Sequence, residues 1–402
     1  MGHPDVRVVA RTLERGRVNR HGSPRRPCVL LVVTEDWYFM SHRLGLARCA
    51  RDAGWRVVVA ARESDRAAAI RRDGLEFIAL PFERGLTYPW RDLALLLALR
   101  SVLREVGPDI VHLVSLKPIL LGGLAWRGLT RPCPALLAFT GLGYIFSSRA
   151  GLARVLKPLV MRLLARVARR PNAWVLAQND DDLALLRANG IATQTRASII
   201  AGAGLDLDEF PVSPLPARAG ALVILPARVL RDKGVYEFVA AAARVRVLRP
   251  DVRFALVGAH DQANPGAVET RQLDAWVASR TIEWWGHRRD MAAVYAAAYI
   301  VCLPSYREGL PRALLEAAAC GRPLIATDVP GCREICRDGE TGLSVAARDV
   351  DGLVQALLRM LDSPALAAAY GRAARLKVEA EFTLERIAAQ TLALYRQLTN
   401  TP

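Results

Sequence analysis

The stretch IVCLPSYREGLPRALLEAAACGRPLIATD, Ile300–Asp328, sets two carboxylates, Glu308 and Glu316, on either side of a Gly-Leu-Pro turn. IVCL is an apolar run of buried-strand length, and the strand it predicts ends at Pro304. Pro311 suits the first position of the following helix, where its missing N–H leaves nothing unpaired. Open α/β sheets bind ligands beyond the carboxyl ends of their strands, and free N–H groups at a helix start attract phosphate. Glu308 then lies at the lip of such a site, with Glu316 about one and a half turns into the helix. The two acids need not touch, because they can hold separate parts of one long ligand. A carboxylate accepting two vicinal hydroxyls holds a ribose, so a sugar nucleotide fits the spacing. Two solvated acids would look similar, but the neighbours of Glu316 in ALLEAAACG are almost all apolar, and a lone acid there calls for a partner.

Upstream, ALVILPARVLRDKGV (Ala221–Val235) puts Arg228 and Lys233 in the loop after a strand and before a helix. A planar fork beside a point charge suits a diphosphate. Taken alone, the two would read as solvent-facing cations in a polar loop; set against the acidic turn, they read as a ligand site.

Outward from these segments the chain alternates strand and helix. CVLLVVTED from Cys28, WRVVVAA, EFIALP, PDIVHLV, PALLAF and AWVLAQ form one series, with a helix predicted over 92–106. After the Pro-rich segment PVSPLPARAG, read as an interdomain linker, ALVILPAR, VRFALVG, TIEWWG, YIVCLPS, PLIATD and GLSV form a second, with helices from Val235 and Ala267. Such alternation builds parallel sheets covered on both faces. The expected organisation is a basic, disordered tail over 1–27, a Rossmann-like domain over 28–212 and a second over 213–382. The remainder, 383–402, is a helix that can pack back on the first domain.

At 402 residues with 52% hydrophobic content, the chain has material for two cores. No apolar run is long enough to span a membrane, and the N-terminus lacks the apolar segment of a signal peptide, so a cytoplasmic protein is expected. Seven scattered cysteines without a C-x-x-C pair argue against a disulfide framework or zinc ribbon. The formal charge of +16 calls for an acidic partner or surface. The tail before Cys28 holds seven arginines against Asp5 and Glu14, so it supplies 7 − 2 = +5 and the body the remaining 16 − 5 = +11.

These residues resemble glycosyltransferase family 4, retaining transferases of the GT-B fold, in which two doubly wound α/β domains face each other across a cleft. The carrying motifs are LPARVLRDKG, LVG ending at Gly258, WWGHRRDM, and PSYREGLPRALLEAAACGRPLIATDVPGCREICRDGETGL with its E-x(7)-E spacing. The resemblance implies that Arg228 and Lys233 hold the donor diphosphate, that Glu308, with Gly309 and Leu310, lies beside the donor sugar, and that Glu316 binds the ribose. Backbone near Gly286 and His287 would meet the base. The first half, through VTEDWYFMSHR, HLVSLKPILLGG, AFTGLGYIF and AQNDDD, is similar to transferases that build bacterial surface polysaccharides on polyprenyl diphosphate carriers. Where many members carry a His after a strand-ending Phe, this chain has Thr140 and Gly141, so that residue's role does not carry over. The implied reaction is a metal-independent front-face displacement on a nucleotide sugar, UDP being the default, with no cofactor. The acceptor implied is a polyprenyl-diphosphate-linked sugar, reached from the cytoplasmic face of the membrane.

Other segments carry less. His112 and Lys117 in VHLVSLKP read as lying at and after a strand end, facing the cleft, although a core His and a surface Lys would look alike. Ser41, His42 and Arg43 follow the first strand and could approach phosphate. Asp180, Asp181 and Asp182 satisfy a D-x-D metal pattern, but Asn179 before them reads as a helix cap. The run from Arg149 to Arg170 interleaves leucines with Arg154, Lys157, Arg162 and Arg166, a pattern able to lie on an anionic membrane surface. A helix half buried in its own domain would show the same pattern. Transfer to a soluble acceptor is the alternative. A basic nucleic-acid-binding protein is a distant one, since no recognised module is present.

Overall fold

The computed structural model describes residues 26–83, 89–130, 132–141, 151–262 and 264–400. The basic tail before Arg26 lies outside them, as does most of the segment following Gly141.

The chain divides into two compact units, one running to Ala203 and resuming from Ile387, the other Gly204–Arg386. The first is built on β1 (Cys28–Glu35), β2 (Arg56–Arg62), β3 (Glu76–Ala79), β4 (Ile110–Val114), β5 (Ala135–Ala138), β6 (Ala173–Ala177) and β7 (Ala197–Ile199). They form one parallel sheet in the order β3-β2-β1-β4-β5-β6-β7. The central β1 is in register with both neighbours, Val29 opposite Val57 on one side and Ile110 on the other. From Cys28 to Val33 it is apolar without interruption because both its faces are covered. Cys28, Leu30 and Val32 pack under α4 (Pro89–Val106), α5 (Gly123–Arg127), α6 (Gly151–Ala168) and α7 (Asp180–Ala188). Val29, Leu31 and Val33 join the opposite core, with α1 (Asp36–His42), α2 (Leu44–Asp52) and α3 (Ala67–Arg72).

Edge strand β7 escaped the sequence reading. It has three residues, none fully buried, and so lacks the apolar run that marks the others.

The second unit comprises β8 (Leu222–Leu225), β9 (Arg253–Leu256), β10 (Glu283–Trp284), β11 (Ile300–Leu303), β12 (Leu324–Thr327) and β13 (Gly342–Val345), parallel in the order β10-β9-β8-β11-β12-β13. Its helices are α8 (Val235–Leu248), α9 (Thr270–Ala278), α10 (Met291–Ala297), α11 (Arg312–Ala319), α12 (Cys332–Ile335), α13 (Val350–Asp362) and α14 (Pro364–Glu381). Helix α9 starts at Thr270 rather than Ala267, whose backbone instead bridges to Leu230.

The Pro-rich segment forms no regular structure and is strapped to the second unit through its carbonyls. Arg322, fully buried, donates to the carbonyls of Ser213, Pro214, Ala298 and Cys320. Arg375 reaches Phe210 O at 3.1 Å and Ala319 O at 2.7 Å. Carbonyl and hydroxyl oxygens, which cannot titrate, thus take the place of a carboxylate around Arg322, while Arg375 also pairs with Glu379 at 2.6 Å.

The last helix, α15 (Leu384–Asn400), gives Ile387, Leu392, Leu394 and Tyr395 to the core beneath Val29 and Leu31. Among the described residues no helix is long and apolar enough to cross a membrane.

Candidate functional site

In the second unit the carboxyl ends of β8, β9 and β11 lie side by side, β8 being the middle strand. Their loops are stitched together by backbone hydrogen bonds, Val229 N to Ala259 O at 3.0 Å and Tyr306 N to Asp232 O at 2.8 Å. Two glycines make the close approach possible. A Cβ on Gly258 would collide with the Ala227 carbonyl. Gly234, at φ +70°, turns the chain from a 3-10 turn (Arg231–Lys233) into α8, and a Cβ there would strike the Pro304 carbonyl.

This approach brings Lys233 to Glu308. The ammonium meets Glu308 Oε1 at 2.6 Å, and Ser305 Oγ donates to the same oxygen at 2.7 Å. Burial works against the charge on Lys233, but the charge and hydrogen bond of Glu308 more than offset it and hold the lysine above its ordinary pKa. Arg228 stands at the rim of the same loop, largely exposed, with Nη1 3.0 Å from Asp261 Oδ2. Gly309 lies directly under Gly331, whose Cβ would collide with the Gly309 carbonyl, and Leu310 next to it is half-buried.

Glu316 sits on α11 with 9% of its surface exposed. Arg312 Nε donates to its Oε1 at 2.7 Å and Tyr295 OH to its Oε2 at 2.9 Å. Burial pushes its pKa above the ordinary carboxylate value, and the charge of Arg312 and the two hydrogen bonds oppose this only in part. Each oxygen keeps a lone pair for a further donor. Gly286 (φ +65°, open space where a Cβ would stand) and exposed His287 follow β10 at the edge of the sheet. No described contact joins them to the Lys233–Glu308 pair.

Several groups here were not singled out from the sequence. Tyr306 donates to Glu237 Oε1 at 2.7 Å, tying the acidic turn to α8, and Arg348 stacks over its ring at 4.5 Å. Tyr295 and Asp261 carry no local signature. Arg312, four residues before Glu316, was visible as an i,i+4 pair.

In the first unit, β1 runs directly into α1. Ser41 Oγ bonds the carbonyls of Trp37 and Tyr38, and lies 2.7 Å from His42 Nδ1. The His42 ring stacks on Tyr38. Arg43 is 4% exposed, with its Nε buried and lacking a hydrogen-bond acceptor among the described residues. Thr140 Oγ1 lies 2.8 Å from Ser115 Oγ, where Ser115 (φ +73°) and Gly141 (φ +114°) turn the chain at the ends of β4 and β5. Lys117 is bound to Asp92 Oδ1 at 2.8 Å and to the Glu83 carbonyl at 2.9 Å.

His112 does not face a ligand. It lies in the middle of β4, fully buried, with Nδ1 2.5 Å from Tyr395 OH on α15. Burial, helped by the charge of Arg43, holds its pKa well below the ordinary histidine value. The C-terminal helix covers this position, and local sequence does not reveal that cover.

Asn179 caps α7, accepting from Asp182 N at 2.7 Å. On α6, Arg162 and Arg166 are exposed with Leu159, as is Arg169 just past its end, while Val160, Leu164 and Val167 are buried. Lys157 is half-buried, and the Arg154 side chain lies outside the described residues.

Comparison with known proteins agrees with this geometry. Residues 41–203 match the glycosyl transferase 4-like domain, and residues 221–363 match glycosyl transferases group 1. A glycogen synthase of Mycobacterium tuberculosis is 28% identical over 73% of this chain and 69% of its own. The N,N'-diacetylbacillosaminyl-diphospho-undecaprenol alpha-1,3-N-acetylgalactosaminyltransferase of Campylobacter jejuni is 24% identical over 82% of this chain and 90% of its own. Among solved structures, sucrose-phosphate synthase from Thermosynechococcus elongatus superposes with a TM-score of 0.79 at 23% identity, covering 94% of this chain and 100% of that one. Anabaena HepE in complex with UDP and glucose gives 0.73 at 17% identity, covering 91% and 98%.

Proposed function

The chain belongs to the group 1 and family 4-like glycosyltransferases of the GT-B fold, and from that premise we propose that it moves a sugar from a nucleotide sugar, UDP-linked, to a polyprenyl-diphosphate-linked sugar, with retention at the anomeric carbon. The observation that carries the donor half is the Lys233–Glu308 pair at the carboxyl edge of β8 and β11, with Arg228 on the same loop. A diphosphate arriving there exchanges with Glu308 for the ammonium of Lys233 and takes Arg228 as a second donor. Glu308, released, lies beside the sugar. Glu316, held by Arg312 and Tyr295, accepts from the ribose hydroxyls, and backbone at Gly286 and His287 meets the base.

In the reaction a bond forms between the acceptor oxygen and the anomeric carbon, and the bond from that carbon to the diphosphate oxygen breaks on the same face. The proton of the acceptor hydroxyl passes to the departing phosphate oxygen. Charge grows on the diphosphate, and the fixed cations Arg228 and Lys233 stabilise it without reorganising. No metal is assigned a part.

The acceptor half is supported by the likeness to the Campylobacter jejuni transferase, whose name specifies an undecaprenol diphosphate. The exposed face of α6, with Arg162 and Arg166, supports a site of action on the cytoplasmic side of an anionic membrane. The likeness to a glycogen synthase supports a second reading, a soluble acceptor. Incubating the protein with a panel of nucleotide sugars and either a short-chain polyprenyl-diphosphate sugar or soluble glycans separates them. A mass increase of one sugar on the lipid, with retained anomeric configuration by NMR, supports the first. Product on the soluble glycan alone overturns it.

A further inference from the structure

Across the first sheet from its carboxyl edge, the ends of α5, α6 and α7 meet where the chain returns toward β5, β6 and β7. A cavity of about 500 Å³ opens there, lined by Arg127, Arg162, Arg166 and Arg169 with Asn189, and among the described residues no acid lines it. Several arginines elsewhere on the surface are met by carboxylates, Arg48 by Asp73 and Arg253 by Glu283 for example. Among the described residues none of these four has such a partner.

Arg127 is the least comfortable. Its Nε is buried without an acceptor among the described residues, and its carbonyl is already taken by Arg170 Nη2 at 2.6 Å. Burial and the neighbouring charges of Arg166 and Arg170 pull its pKa down. Arg169, exposed, has Nη2 3.5 Å from where a Cβ on Gly190 would stand, so its guanidinium rests against that backbone. Four guanidinium groups lining one cavity, one of them with a buried N–H that finds no acceptor among the described residues, suit a tetrahedral oxyanion.

We propose that this cavity binds a phosphate group, at a site separate from the donor and acceptor positions. The phosphate can belong to the headgroup of an anionic lipid or to a free polyphosphate. Leu159, 54% exposed one turn ahead of Arg162 on the same helix face, favours the lipid. The proposal does not depend on the transfer reaction, because none of its residues belongs to the donor site.

Two arms test it with the full chain. One measures co-sedimentation with vesicles of phosphatidylcholine, with and without phosphatidylglycerol; the other measures pyrophosphate binding by calorimetry. Arg127→Gln/Arg169→Gln leaves Arg162 and Arg166 in place on α6. Arg169→Glu, at an exposed position, guards against misfolding of the double variant. Loss of about tenfold or more in either arm, the loss of roughly one charge-assisted contact, supports the site, and the responding arm identifies the source. UDP binding should stay at the wild-type level throughout, which keeps a failure here distinct from a failure of the donor site. Wild-type protein that binds in neither arm, or variants that bind as wild type in both, overturns the proposal.

Discussion

Replacing Lys233 with alanine tests the donor site most directly, because the structure ties that residue to a single acid. At 2.6 Å and an effective dielectric constant of about 20, the attraction to Glu308 is about 6 kcal/mol before desolvation, which takes back most of it. Removing one partner of a fully buried pair costs about 3–5 kcal/mol. Here the side chains are 19% and 12% exposed and Ser305 still donates to Glu308, so about 2 kcal/mol is the expected loss of stability. The functional loss should be larger: a fall in kcat of about 10²–10³, as for other preorganised charge stabilisers. Glu308→Gln provides the contrast. It frees Lys233 from its resident anion, so UDP should bind it as tightly as wild type or more tightly, while transfer slows. UDP binding by calorimetry, turnover by UDP release and urea unfolding together read these effects. A Lys233→Ala protein that keeps UDP affinity and turnover within about twofold of wild type would refute the assignment of the diphosphate to this loop.

Three further outcomes are expected. The pKa of Glu316 is raised on folding, so the stability it contributes is fully present below its unfolded value near 4.5 and is lost as pH rises through the folded pKa. Glu316→Gln should therefore raise the melting temperature at neutral pH, with the gain vanishing below about pH 4.5, while weakening nucleotide-sugar binding; a lower melting temperature at pH 7 contradicts this. His112 is depressed on folding, so its contribution is present above about pH 6.5 and is lost as pH falls toward its folded pKa. Tyr395→Phe, which leaves a buried nitrogen unpaired, should lose about 1–3 kcal/mol in urea unfolding at pH 8. Arg322→Ala, which orphans the carbonyls of the Pro-rich strap and opens a cavity, should cost about 3–5 kcal/mol; a loss below about 1 kcal/mol would show that the strap does not depend on it.

Much of the fold was legible because strands buried on both faces must be apolar throughout. CVLLVVTE needs no partner to be recognised, whereas ASI at β7, half-exposed at a sheet edge, carries no such mark. Residue types at the donor site were legible for the same local reason, a strand end followed by a glycine and a helix start. That Lys233 meets Glu308 was not, since the pair is 75 residues apart in sequence and depends on β8 and β11 being neighbours in the sheet. Glu316 shows the intermediate case. Its apolar surroundings demanded a partner, Arg312 was visible one turn away, and Tyr295 on α10 was not. His112 misled because the residue that claims it, Tyr395, comes 283 positions later.

That separation has a bearing on biosynthesis. The first unit emerges from the ribosome up to Ala203 with one side of its sheet still missing α15, and the 386 − 204 + 1 = 183 residues of the second must follow before Ile387 appears. At about 5–20 residues per second, this leaves apolar side chains around Val29 and Leu31 incompletely roofed for roughly ten to forty seconds. A nascent chain stalled or cut anywhere before Tyr395 is thus a natural client for chaperones, and a short C-terminal truncation would harm the domain farthest from it in sequence.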